Sequence, residues 1–208
     1  NDGCWYPPDV NGSVGANQLV EIVNNHIDVY SKSTSPAVLM ELTTNSFFGY
    51  GAAMTDPRVE YDSLWGRWVA IEADFANHIH LAVSFNSDLR NGWLTYTIFF
   101  SPISFLDYPQ LALTQDAIVM TYSDFGAPEH AVTGAIAKAL AYNGFGFSFP
   151  IFNLGNNATA TPSNVIDQNP VEHELVAFPG NPGSVNNVSF TDPQAGAFGS
   201  ITGNVAVA

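Results

Sequence analysis

Apolar and polar residues alternate with a period of two along much of this chain. His78 to Phe85 shows it most clearly: His78, His80, Ala82 and Ser84 would line one face of a strand, and Ile79, Leu81, Val83 and Phe85 the other. The pattern predicts a half-buried β-strand. Arg67 to Phe75, rich in aromatic and β-branched residues, predicts its partner across the turn Ala76-Asn77. Asp56 to Asp62 predicts the strand before it, with Gly66 marking a turn, and Trp93 to Phe100 predicts a fourth. Earlier, Leu19 to Val23 and Ile27 to Tyr30 predict a hairpin around Asn24-Asn25, because Asn tolerates the left-handed backbone that tight turns need. Leu39 to Leu42 and Phe47-Phe48 follow. Residues Trp5 to Gly15, with Pro7, Pro8 and the glycines Gly12 and Gly15, are turn-rich and exclude a regular helix. The one helix candidate is the Ala-rich Gly134 to Tyr142, which reads equally well as a strand.

The pattern recurs. His26, His78 and His130 are each 52 residues apart, the first two in the same context, Asn-His-Ile, and the third in Glu129-His130-Ala131. In the third stretch Asp107-Tyr108-Pro109 replaces Asp56-Pro57 and Ala117 to Tyr122 replaces the strand around Trp68. A fourth, degenerate stretch is marked by Pro170 to Val176, which contains His173, and by Thr191-Asp192-Pro193. Four units follow, approximately 5–50, 51–103, 104–155 and 156–208, within a single β domain spanning 1–208. Units of about 50 residues with four short strands each predict an all-β, antiparallel fold of propeller-like repeats, with a two-sheet β-sandwich as the alternative.

Composition narrows the function classes. The chain of 208 residues is 46% hydrophobic and 13% aromatic, enough to build a core. Five Lys and Arg stand against nineteen Asp and Glu, a formal charge of −14, the wrong sign for phosphate-backbone binding, so nucleic acid is not an expected partner. No apolar run reaches the roughly 18 to 20 residues needed to span a bilayer. The low charged fraction of 12%, a surface rich in Asn, Ser, Thr and Gly, and a start without Met or a basic region predict a secreted or cell-surface protein. Cys4 is the single cysteine and has no internal disulfide partner.

Five phrases carry a family resemblance: Pro-Pro-Asp-Val-Asn-Gly-Ser-Val-Gly (7–15), Asp-Pro-Arg-Val-Glu-Tyr-Asp (56–62), Gly-Arg-Trp (66–68), Leu-Ala-Val-Ser-Phe-Asn-Ser-Asp (81–88) and Asp-Tyr-Pro (107–109). Together they resemble the repeat phrases of large, secreted bacterial propeller-like proteins. The resemblance implies an extracytoplasmic scaffold and no particular chemistry.

Chemistry therefore has to come from residues added to the scaffold. Imidazole is a common ligand for borderline metals, and the His-x-His pair His78 and His80 directs two rings to one side of a strand. With His130 at a repeat-related hairpin tip, these three are the candidate metal ligands, most simply as a two-histidine copper site using His80 or His78 with His130. Duplicated units also inherit a residue without using it, so the same histidines can be bare turn residues. Cu(I) accepts such low coordination, and the near absence of Cys argues against structural zinc. An acidic, exported chain with paired histidines is similar as well to the surface copper-binding proteins of methane-oxidising bacteria, where two histidines and an oxidised tryptophan hold copper. No Trp-x-His phrase occurs here, and none of Trp5, Trp65, Trp68 and Trp93 is assigned that part. Calcium is a possible second ion, with oxygen donors at Asp9, Asn11, Asp56, Asp62 and Asp107, but their spacing matches no EF-hand and they suffice as turn formers. The acids Glu172 and Glu174 flanking His173 read either way, and Asn11, Asn157 and Asn187 lie in Asn-x-Ser/Thr sequons.

Hydrolase motifs are missing: there is no Gly-x-Ser-x-Gly and no His-Glu-x-x-His, and nothing selects a carboxylate pair. The expectation is a non-enzymatic exported metal-binding protein, for copper above all, serving metal acquisition or handling. The alternative is a surface adhesion module without metal, whose exposed aromatics and Asn-rich loops bind a glycan or a protein.

Overall fold

The structure, a computed structural model, describes residues 5–99, 105–126, 128–148, 151–154, 159–164, 173–178, 184–188 and 201–206, the last three stretches as backbone only. Cys4, Asn157, the segment 170–172 with Glu172, and Thr191-Asp192-Pro193 lie outside the described residues. Among the described residues the fold is all-β and antiparallel, in four sheets of four strands, each strand paired with its neighbour in sequence. The first sheet contains β1 (Asn11–Val14), β2 (Gln18–Val23), β3 (His26–Ser31) and β4 (Val38–Thr43). The second contains β5 (Met54–Asp62), β6 (Arg67–Asp74), β7 (His78–Ser84) and β8 (Trp93–Phe99). The third contains β9 (Leu106–Leu113), β10 (Ala117–Asp124), β11 (His130–Ala137) and β12 (Ile151–Asn153). The fourth contains β13 (Thr159–Pro162), β14 (His173–Phe178), β15 (Ser184–Val188) and β16 (Ile201–Ala206). No described helix is long and apolar enough to cross a membrane.

His26, His78 and His130 each open the third strand of their sheet. The turn chemistry behind this is visible at Asn25 (φ 75°) and Asn77 (φ 66°), the residues just before the first two histidines, where Asn accepts a left-handed backbone. His173 opens a second strand instead, so the fourth stretch does not share this register. A second repeated device is a residue of positive φ immediately before proline, Asp56 (57°) and Tyr108 (52°), each beside a register shift in its sheet.

The chain divides into two compact units, Asn1–Pro102 and Ile103–Ala208. In the first, the apolar faces of the first two sheets share one core: Val20, Ile22, Ile27 and Val29 pack with Met54, Val59, Trp68, Ala70 and Ala82. The turn after β1 meets this core closely, since a Cβ on Gly15 would come within 2.5 Å of the Trp68 ring. A short helix, α1 (Thr44–Phe48), adds Phe47 and Phe48. Its N-terminus is capped by Thr43, and Phe47 stacks on Trp93 at 4.6 Å. This helix has no counterpart among the sequence expectations, because five residues are too few to show a 3.6-residue period. In the second unit, Ala117, Val119, Ala131, Ala135 and Leu154 pack against Ala160 of β13. The stretch Gly134 to Tyr142 divides: β11 runs to Ala137, and α2 (Lys138–Ala141) takes the rest.

The prediction that β7 is half-buried needs correction. Ile79, Leu81 and Val83 are fully buried, and so are His80, Ala82 and Ser84 on the opposite face. The His80 face packs toward the first sheet, with Ala82 in the shared core. The first sheet behaves differently: Ile27 and Val29 are buried toward the second sheet, while His26, Asp28 and Tyr30 lie half-buried on the other face of β3.

Candidate metal centre

The half-buried face of the first sheet carries its chemistry. Strand pairing sets Glu21 of β2 opposite Asp28 of β3, and Asp28 opposite Glu41 of β4, so three acids form a row across three strands. His26, two residues before Asp28, lies on the same face. Its Nε2 is 3.3 Å from Asp28 Oδ1 and 3.4 Å from Glu41 Oε1. Donor atoms of His26, Asp28 and Glu41 all lie within 4.8 Å of one another. Two of the three, His26 Nε2 and Asp28 Oδ1, are buried and have no hydrogen-bond partner. The other Asp28 oxygen, Oδ2, accepts a hydrogen bond from the Tyr30 hydroxyl at 3.2 Å, which fixes the carboxylate. Burial, then the Asp28 charge and hydrogen bond, and then the Glu21 and Glu41 charges, push the Tyr30 phenol above its ordinary range. Like charges opposed across strands are destabilising on their own. A cation at the point where the three donors converge would offset that repulsion.

The equivalent face of the second sheet is arranged otherwise. Asp74, which ends β6, takes bonds from five donors. Its Oδ1 accepts from the backbone N–H groups of Ala76 (2.8 Å) and His78 (2.9 Å). Its Oδ2 accepts from His78 Nδ1 (2.9 Å) and His80 Nε2 (3.1 Å), and the Tyr50 hydroxyl is the fifth donor. Burial would raise the Asp74 carboxyl, but these hydrogen bonds win and hold it well below the usual carboxylate range. With Nε2–H given to Asp74, His80 Nδ1 is left to accept from the Thr97 hydroxyl at 3.3 Å. Both nitrogens of His80 are thus engaged, Tyr50 lies against its ring at 4.0 Å, and burial pulls its pKa down, so it is a neutral, 2% exposed core imidazole. Opposite His80 on β6 sits Glu72, fully buried, with neither carboxylate oxygen in a hydrogen bond. Burial pushes its carboxyl up to about 8. The Thr44 hydroxyl pulls it down without forming a well-aligned bond, and the Asp56 charge adds to the rise.

The structure therefore brings His78 and His80 together, their rings 6.2 Å apart, but on a shared carboxylate. His78 Nδ1 faces Asp74 and its ring packs on Phe99 at 5.3 Å. His130 belongs to the second unit, where its Nδ1 donates to the Pro128 carbonyl at 2.9 Å and its Nε2 lies 3.8 Å from Asp124. Asp124 ends β10 as Asp74 ends β6, and each has a histidine beside it. In the first sheet that place is held by Val23, and the carboxylates come from Asp28 and Glu41 instead. The oxygen donors considered for calcium have structural partners. Asp9 accepts from Asn24, Asn11 from the Val59 N–H, Asp62 from the Leu64 and Trp65 N–H groups, and Asp107 from the Tyr108 N–H. None of His26, Asp28 and Glu41 is among the ligands expected from the sequence, His78, His80 and His130, and Glu41 is the hardest of them to find. It lies 13 positions after Asp28, and only the β3–β4 register joins them.

No protein-family model matches the chain, and no curated protein matches it.

Proposed function

We propose that this is an exported β protein of propeller-like repeats that binds a metal ion, and that His26, of the three repeat-related histidines, is the one that holds it. One observation carries the reading: a buried imidazole nitrogen and a buried carboxylate oxygen, neither hydrogen-bonded, converge with a third donor from the next strand. Buried polar atoms are ordinarily hydrogen-bonded, and here two that are not meet a third donor at ion-pair distance, an arrangement that a cation would complete. The propeller-like arrangement is supported by four successive four-stranded meanders. The exported location is supported by the acidic, weakly charged composition. Copper, expected from the histidine pattern, is among the ions that elemental analysis of natively purified protein would reveal. Near-stoichiometric metal in the wild type, lost in His26→Ala and kept in His80→Ala, is the expected result. Metal retained by His26→Ala and lost from His80→Ala would move the site to the second sheet.

The adhesion reading has its own observation, a set of exposed aromatic side chains that includes Tyr6, Trp5, Trp65 and Phe85. Stacking of sugar rings on such faces predicts glycan binding that survives chelator treatment, and that retention would favour this reading.

A further inference from the structure

Deepening the reading of His26 as the metal-holding histidine, on which it rests, we propose that the ion is a zinc-class divalent cation. It is held tetrahedrally by His26 Nε2, Asp28 Oδ1 and Glu41 Oε1, with water at the fourth vertex, and it clasps β3 to β4.

Two donor distances fit the tetrahedral geometry. Zinc binds nitrogen and carboxylate oxygen at about 2.0–2.2 Å, and the edge of a tetrahedron with bonds of that length is roughly 3.3–3.6 Å. The two edges that meet at His26 Nε2 are 3.3 and 3.4 Å. A square-planar Cu(II) centre with comparable bonds needs adjacent donors at roughly 2.8 Å, and a two-coordinate Cu(I) ion needs them on opposite sides at roughly 4 Å. Donor chemistry agrees. One imidazole with two carboxylates suits a borderline divalent ion, carries no soft sulfur for Cu(I), and includes a nitrogen that calcium sites do not use. Three protein ligands leave one vertex, and Glu41, 57% exposed, lies on the solvent side, where water reaches it.

The surroundings supply what such a site needs outside its ligands. Tyr30 holds the non-ligating Asp28 oxygen, the orienting role of outer-shell groups in metal centres. Glu21, opposite Asp28 and exposed, adds negative potential without entering the set of converging donors. Because His26 and Asp28 come from β3 and Glu41 from β4, the ion joins adjacent strands at their pairing register. It thereby neutralises the Asp28–Glu41 opposition.

The test uses the full chain, stripped with chelator and titrated with ZnSO4, CoCl2 and CaCl2, and with Cu(I) under reducing conditions. We expect one equivalent of Zn2+, a visible Co2+ spectrum of tetrahedral intensity that Zn2+ bleaches, and zinc affinity at least tenfold weaker in both Asp28→Asn and Glu41→Gln. Glu41 is exposed, so Glu41→Gln reports on the site without endangering the fold. If no ion binds, or if His26→Ala binds as the wild type does, the reading of His26 as the ligand fails and this inference fails with it. If His26→Ala abolishes binding, three other results sink the zinc assignment alone: a weak octahedral-type Co2+ spectrum, displacement of Zn2+ by Ca2+ or Cu(I) at equal concentration, or wild-type zinc affinity in Glu41→Gln.

Discussion

His26 and His78 occupy the same position in two successive sheets, and Asp28 and His80 occupy the next inward position on the same face, yet the two places have become different objects. In the second sheet the first sheet covers this face, and its histidine chemistry is tied down: both nitrogens of His80 on β7 are hydrogen-bonded, and Asp74 at the end of β6 takes five donors. In the first sheet the face is turned away from the second, and His26 Nε2 converges with Asp28 Oδ1 and Glu41 Oε1 at ion-pair distance, with no hydrogen bond to His26 Nε2 or Asp28 Oδ1. The difference teaches that a repeat assigns position but not role. What covers the face decides whether an inherited imidazole becomes packing or ligand.

The largest expected effect concerns Glu72, the covered counterpart of Glu21. Its carboxyl sits at about 8 in the folded protein against 4.5 when unfolded, so the folded state holds a proton that the unfolded state gives up. This contribution is fully present below pH 4.5 and lost as pH rises to and through 8, at about 1.4 kcal/mol per pH unit within that window. Urea unfolding between pH 5 and 8.5 should show the decline, and Glu72→Gln should flatten it. A wild-type slope as flat as the variant's would show that Glu72 is ionised and solvated.

Next, Asp74→Ala strands two histidines, a tyrosine and two backbone N–H groups and should cost about 3–4 kcal/mol in urea unfolding. Asp28→Ala in metal-free protein should cost less than about 1 kcal/mol, and equal losses would erase the distinction between the two faces. Zinc at a hundred times its Kd should then stabilise the wild type by about 2.7 kcal/mol and leave His26→Ala unmoved, read as a shift in Tm. The smallest effect is the most diagnostic. Glu41→Gln removes one member of an opposed acidic pair and should stabilise the metal-free protein by about 0.2–1 kcal/mol while weakening zinc, so stability and affinity move in opposite directions.

Much of the fold was legible because its signals are local. Asn25 and Asn77 mark their turns by residue type, and the 52-residue interval recovers the start of three strands. Burial of β7 on both faces was not legible, since His80 and Ser84 look polar in sequence and are buried with partners outside the strand, Asp74, Tyr50 and Thr97 for His80 and the Trp68 N–H and Asn86 carbonyl for Ser84. The candidate cluster was not legible as a site: the ligands expected from the sequence were His78, His80 and His130, and His26 stood out only as a repeat position. Asp28 is two residues from His26, but Glu41 joins them through the β3–β4 register alone. In the second sheet the Glu41 side of this arrangement is Thr97, a hydroxyl that completes His80 rather than a charge that competes for an ion.

All four tryptophans of the chain, Trp5, Trp65, Trp68 and Trp93, fall within the first compact unit, and the second has tyrosines only. The molecule therefore carries a built-in optical label. Excitation at the red edge of the indole band reads one unit and is blind to the other. Trp68, sealed beneath Gly15 with its Nε1 donating to the Ser87 carbonyl, should emit at short wavelength, and the half-exposed Trp5 and Trp65 at long wavelength. Any event that parts the first sheet from the second would register as a change of colour, with no dye attached and no residue altered.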